Sequence, residues 1–157
     1  MSRRHSAEQR ETAPDPRFKS EVLAKFINRV MKQGKKSIAR SIVYDALEKF
    51  TKITNVPDTL EAFLEALENA KPNLEVKSRR IGGATYQVPV EISNSRRTSM
   101  AMKWIITFSR AKAGRAMKDA LAQELADCYN KQGSTIKKRE DTHKMAEANK
   151  AFAHYKW

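Results

Sequence analysis

One stretch of this chain follows a different period from the rest. Between Leu74 and Val90 apolar residues fall at alternate positions, as Leu74 and Val76, then Tyr86, Val88 and Val90. That is the period of a half-buried strand. Elsewhere they return at i, i+3, i+4 and i+7, the spacing of an amphipathic helix. The period-two stretch is interrupted once, at Gly82-Gly83, whose tolerance of positive φ suits a tight reversal. A β-hairpin at about residues 73–91 is predicted, carried by an otherwise helical chain. At 157 residues the chain buries roughly 68–70% of its unfolded surface as one domain. The predicted fold class is mainly α: a single-domain bundle of about six helices with one protruding β-hairpin.

The helical segments read off in order. A polar arm, residues 1–16, carries Arg3, Arg4 and Arg10 and no large aliphatic anchor, and is expected to be flexible. The helical domain then runs over 17–157. Its first helix takes Ser20 as cap, presents Val22, Leu23, Phe26, Ile27, Val30 and Met31 on one face, and ends at Gly34. A second helix is expected to bury Ile38, Ile42, Ala46, Phe50 and Ile53. Pro57-Asp58 opens a third, with Leu60, Phe63, Leu64 and Leu67 inward and Glu61, Glu65 and Glu68 on a solvated face. After the hairpin, Ser93 to Ser95 offer caps to a fourth helix with Ala101, Trp104, Ile105 and Phe108 inward. Met117, Leu121 and Leu125 mark a fifth. The segment from Thr135 onward has a thin apolar stripe, a Glu140–Lys144 pair at i, i+4, and an aromatic end (Phe152, Tyr155, Trp157) that either stacks, docks or frays.

The charge is large and unevenly placed. Lysine and arginine number 31 against 18 acids, a formal net charge of +13, which calls for a polyanionic partner. Residues 1–40 hold 11 basic and 4 acidic side chains, 41–70 hold 2 and 6, 71–115 hold 10 and 2, and 116–157 hold 8 and 6. An acidic helix between two basic blocks predicts one binding face and one non-binding face. The candidate polyanion contacts, which the resemblance given below makes RNA contacts, are Arg3, Arg4 and Arg10 in the arm; Lys35 and Lys36 in the first turn; Lys77, Arg79, Arg80, Gly82 and Gly83 in the hairpin. To these are added Arg96, Arg97, Lys103 and Arg110 on the fourth helix, Lys112 and Arg115 in the next turn, and Lys137, Lys138 and Arg139. Arginine's planar fork suits bidentate phosphate contacts, and the glycines let a phosphate approach the backbone without meeting a Cβ.

Other classes find little support. The single cysteine, Cys128, excludes a disulfide framework and sits in a helical pattern as a small buried apolar group, consistent with a reducing, cytoplasmic compartment. No apolar run approaches 18 residues and no signal-peptide pattern opens the chain, so no membrane partner is expected. No cofactor or metal is implied: Glu61, Glu65 and Glu68 lie at the spacing of a solvated helix face, and no phosphate-binding Gly-Lys-Ser/Thr loop is present.

Several long runs together resemble the bacterial small-subunit ribosomal protein seven family. They are Pro14-Asp15-Pro16, Gly34-Lys35-Lys36-Ser37, Ala66-Leu67-Glu68-Asn69-Ala70, the hairpin from Glu75 to Glu91, Arg96-Arg97, Ala101-Met102-Lys103-Trp104, and Lys137 to Trp157. The chain departs from the pattern in its N-terminal arm and in the turn Ala111 to Ala116. The resemblance implies a six-helix bundle with a protruding hairpin. It also implies a non-enzymatic constituent of the 30S subunit, not a homo-oligomer, that binds the 3′ major domain of small-subunit rRNA and nucleates assembly of the head. Further implied are a place at the subunit interface, with the hairpin near exit-site tRNA and mRNA, and contacts with small-subunit proteins nine and eleven.

Residue physics alone leaves two other readings open. One is an architectural DNA-binding protein using the basic ribbon as a minor-groove arm with Ile81 as a wedge. The other is a nuclease built on His143, Glu140 and Asp141, although these show no metal-ligand spacing and a charge-paired helix accounts for them better.

Overall fold

A computed structural model describes residues 11–155. Among them the chain forms six α-helices and one hairpin: α1 (Glu21–Val30), α2 (Lys36–Thr54), α3 (Thr59–Ala70), β1 (Leu74–Ile81), β2 (Ala84–Glu91), α4 (Asn94–Ala111), α5 (Met117–Tyr129) and α6 (Gly133–Ala148), followed by a 3₁₀ segment, Lys150–Tyr155. The fold is mainly helical with one hairpin, as the two periodicities predict. Residues 1–10, including Arg3, Arg4 and Arg10, and Trp157 lie outside the described residues.

Helix α5 is the axis of the bundle. It packs against α2, α3, α4 and α6, and Ala120, Leu121, Ala122, Leu125, Ala126 and Cys128 are all buried. Its alanines let the neighbouring helices approach closely, which the expected stripe of Met117, Leu121 and Leu125 did not anticipate. Around it the core is filled by Leu23, Phe26, Ile27, Phe50, Phe63, Leu67 and Ile105, with Phe26 and Phe63 edge to face at 5.3 Å. Burying each such side chain is worth about 1.5–3 kcal/mol. Cys128 is fully buried, and burial, reinforced by the nearby Glu124 charge, pushes its thiol pKa up to about 12.

Side-chain caps fix the starts of α1 and α3. Ser20 Oγ accepts the Leu23 N–H at 3.4 Å, and Asp58 accepts from Leu60 and Glu61 at 2.8 and 3.2 Å, satisfying donors that a helix start leaves open. Ser93 holds the cap position of α4 without a side-chain bond. Helix α1 ends at Val30 and not at Gly34, because the chain turns extended at Met31 and then takes positive φ at both Gln33 and Gly34. Upstream, Asp15 belongs to the folded body and not to the arm. It is 3% exposed, accepts the Arg17 and Phe18 N–H groups and takes the Tyr44 hydroxyl at 2.8 Å. Burial and this carboxylate together hold the Tyr44 pKa above its ordinary value.

The stripe on α2 matches expectation at Ala46 and Phe50 and is otherwise displaced by one residue. Ala39, Val43, Ala46, Leu47 and Phe50 are buried, whereas Ile38 and Ile53 stay 56% and 50% exposed. Two i, i+4 series run side by side down this helix, about 100° apart. The series containing Ala39 lies in the core, and Phe50 of the other series meets Tyr129 of α5 edge to face at 6.2 Å. On α4, Met102 and Ile106 join Ala101 and Ile105 in the core, while Trp104 and Phe108 are half-buried. Lys144 makes no ion pair among the described residues, and Glu140 instead lies 3.9 Å from Arg139.

The hairpin strands are antiparallel, paired from Leu74↔Glu91 to Ile81↔Ala84, with Gly82 and Gly83 at φ +55° and +89°. Because paired residues share a face, Leu74 and Val76 stand opposite the face of Tyr86, Val88 and Val90. Glu75 on β1 and Val88 on β2, whose partners are Val90 and Lys77, are the buried positions of the two strands. Gly133 opens α6 at φ +86°, and a Cβ there would lie 2.8 Å from Asp127 Cβ. Gly133→Ala is therefore expected to destabilise the protein by about 1–3 kcal/mol. Gly34→Ala, with open space around it, should cost less. Urea unfolding of both variants checks the order.

Candidate nucleic-acid interface

The hairpin reaches the bundle through charge. Glu75, buried on β1, accepts Arg96 Nε at 3.0 Å to both oxygens and Arg96 Nη2 at 2.8 Å, and lies 3.3 Å from Lys77 Nζ. Burial alone would raise its pKa, but the bonds from Arg96 and Lys77 outweigh it and leave the carboxyl below its ordinary value. Next to it Arg97 donates to the Pro72 carbonyl at 3.0 Å and to Asn73 Oδ1 at 2.7 Å. The Asn73 N–H in turn donates to His143 Nε2 at 3.0 Å. Helix α4, the strand base and α6 are thus tied at one corner. Neither Glu75 nor Asn73 was singled out from sequence, although Glu75 is one of only two acids in the basic block 71–115.

Toward the tip, Arg79 donates to the Tyr155 carbonyl, while Arg80, on the opposite face, is exposed and has no ion pair among the described residues. Tyr86 packs against Phe152 at 5.3 Å and Tyr155 at 5.1 Å. The aromatic end of the chain therefore docks on the hairpin.

Along α4, Arg96, Lys103 and Arg110 recur at i, i+7 and i+14 and share one face over about 21 Å. Arg110 Nη2 donates to the Val30 carbonyl at 3.0 Å, a cation at a helix C-terminus where the dipole favours it. That bond brings the row to the α1–α2 turn, where Lys32, Lys35 and Arg110 line a cleft of about 310 Å³ with Ile38 and Met117. Lys35 and Lys36 are exposed. Lys32, absent from the sequence-based candidates, completes this end.

Lys112 is turned inward. Its Nζ lies 2.8 Å from Glu124 Oε2 and 3.5 Å from Asp127, while Glu124, fully buried, accepts the Thr135 N–H at 3.1 Å and hydroxyl at 2.6 Å. The ammonium neutralises a buried carboxylate and is not offered to a ligand. Arg139 likewise donates to the Asn69 carbonyl. Arg115, Lys137 and Lys138 remain exposed. The candidates so divide into cations that hold the scaffold together and cations that are left outward: Lys35, Lys36, Arg80, Lys103, Arg115, Lys137 and Lys138.

Residues 2–150 match the family described as Ribosomal protein S7p/S5e. The chain is 71% identical over its full 157 residues, and over all of the relative, to the small ribosomal subunit protein uS7 of Protochlamydia amoebophila. With the uS7 proteins of Chlamydia pneumoniae and of Chlamydia trachomatis serovar D it shares 66% and 65%, again over the whole of both chains. The chain belongs to the ribosomal protein S7p/S5e family. It is a small-subunit ribosomal protein, and a family of ribosomal constituents gives no support to a hydrolytic reading.

The three residues weighed for such chemistry do not share a partner in this S7p/S5e chain. His143 points its Nε2 at the Asn73 amide, whereas Glu140 and Asp141 are exposed. No cluster of three metal-ligating side chains occurs among the described residues, and no described helix is long and apolar enough to cross a membrane. Burial, then Arg139 and Arg97, hold the His143 pKa below 6.5. The folded form thus favours neutral imidazole, and the stability this residue contributes is complete above its ordinary pKa. It is lost as pH falls below 6.5 through the depressed value. His143→Gln should flatten that part of the stability profile between pH 7 and 5 in thermal unfolding. Lys112→Met, which leaves Glu124 buried and unpaired, should cost about 3 kcal/mol by urea unfolding, against no measurable loss for Lys35→Met.

Proposed function

We propose that this protein is a primary rRNA-binding protein that grips the 3′ major domain of 16S-type rRNA and nucleates assembly of the subunit head. The observation that carries the reading is the outward Lys103 on α4 with the exposed Lys35 and Lys36, on a face where Arg96 and Arg110 stay exposed while tying down the hairpin base and the end of α1. A continuous line of cations on rigid helices suits a folded polyanion, because the scaffold fixes where each charge points before binding. Lysine and arginine displace condensed counterions, and backbone contacts set the register on a folded RNA read by shape. The hairpin tip, with Arg80 outward beside Gly82 and Gly83, is left for exit-site tRNA and mRNA at the subunit interface. Small-subunit proteins nine and eleven are the expected neighbours, and the bacterial ribosome is its setting. Family membership and the separation of scaffold cations from outward cations both support this reading.

A test is filter binding of the purified chain to an rRNA fragment of the 3′ major domain across salt concentrations. Charge reversal of Lys35, Lys36 and Lys103 is expected to weaken binding by at least tenfold and to make its salt dependence shallower. Deleting Arg79 to Thr85 should leave this affinity intact while weakening tRNA retention on reconstituted subunits. Equal affinity for a matched DNA duplex would instead favour the architectural DNA reading.

A further inference from the structure

The row on α4 passes a second cleft that no candidate residue above occupies. It measures about 390 Å³ and lies between the outer face of α1 and the first turns of α4, lined by Lys25, Asn28, Arg29, Ser95, Thr98 and Ser99 over a floor of Met102. Among the described residues no carboxylate lines it. Lys25 Nζ lies 3.8 Å from Glu21, an exposed acid on α1. Lys25, Asn28 and Arg29 are i, i+3 and i+4 on one helix; Ser95, Thr98 and Ser99 repeat that spacing on the other, so both helices aim a compact polar triplet at the same space.

The hydrogen-bond directions matter. Arg29 Nη1 donates to Ser99 Oγ, so the hydroxyl oxygen is used as an acceptor and its own proton is left to donate outward. Thr98 Oγ1 donates to the Asn94 carbonyl at 3.1 Å and is spent. Ser95 and the Asn28 amide have no side-chain bond among the described residues. The cleft therefore offers two cations and three neutral donors, an arrangement that matches the two unesterified oxygens of a phosphodiester. Ser99 also falls between Arg96 and Lys103 on the same face of α4, which places the cleft in line with the cationic row.

We propose that this cleft seats one backbone phosphodiester of the bound RNA, held by Lys25 and Arg29 with Ser95, Ser99 and Asn28 as donors. The proposal rests on the rRNA-binding reading and adds to it a specific subsite. Ethylation interference on the rRNA fragment, together with the salt slope of binding, tests it in the full chain. For Lys25→Gln/Arg29→Gln the magnitude of the slope is expected to fall by about 0.7–0.9, one phosphate's worth. One phosphate whose ethylation blocks the unaltered protein should also become indifferent to it. The milder Ser95→Ala/Ser99→Ala variant keeps both cations, so its slope should be unchanged while affinity drops on the order of tenfold. The same set of interfering phosphates in every variant, or unaltered slopes and affinities, overturns the cleft while leaving the wider rRNA interface standing. Failure of the unaltered chain to bind the fragment at low salt would overturn both.

Discussion

A two-stranded ribbon with eight residues in each strand cannot hold itself together in water, and everything that makes this hairpin usable comes from how its base and one face are fastened. At the base, Glu75 receives a bidentate arginine from α4 while Arg97 and His143 fix the Pro72-Asn73 corner. Along the face, Tyr86 lies on the aromatic residues of the C-terminal segment. These attachments come from three different parts of the chain. The ribbon therefore projects in a direction set by α4, the helix that also carries the longest row of cations.

The cations serve two purposes that composition cannot separate. Some neutralise buried or half-buried partners: Lys112 for Glu124, Arg96 for Glu75, Arg139 for the end of α3. Others have no such partner and are left to the solvent. A net charge of +13 thus overstates the interface on the scaffold side and understates its order, since the outward residues are arranged by those turned inward. The acidic face of α3, with Glu61, Glu65 and Glu68 exposed, keeps that part of the surface unattractive to a polyanion.

The sequence was most readable where one physical rule acts alone. Period two and two adjacent glycines located the hairpin because few alternatives satisfy both, and Ser20 and Asp58 marked helix starts because a helix N-terminus has donors to satisfy. It was least readable where the outcome depends on what lies across an interface. The burial of Ala39 in place of Ile38, the all-round burial of α5, and the opposite faces taken by Val76 and Val88 are decided by neighbours distant in the chain. The site shows the same division. Positive charge in the hairpin and α4 was legible, but whether Lys112 points out or in depends on Glu124, twelve residues further along and buried by packing that periodicity does not reveal. The α1–α4 cleft escaped for a related reason: serines and an asparagine gain meaning only when two helices bring them together.

The burial of Cys128 gives this molecule an internal timer. Its thiol is sealed in the helix on which four others pack, and a pKa near 12 leaves almost no thiolate at neutral pH. A maleimide or disulfide reagent can modify it at speed only when α5 separates from its surroundings, so the labelling rate reports the frequency of that opening. RNA that clamps the bundle would lengthen the interval, and the same atom would read assembly and unfolding on one scale.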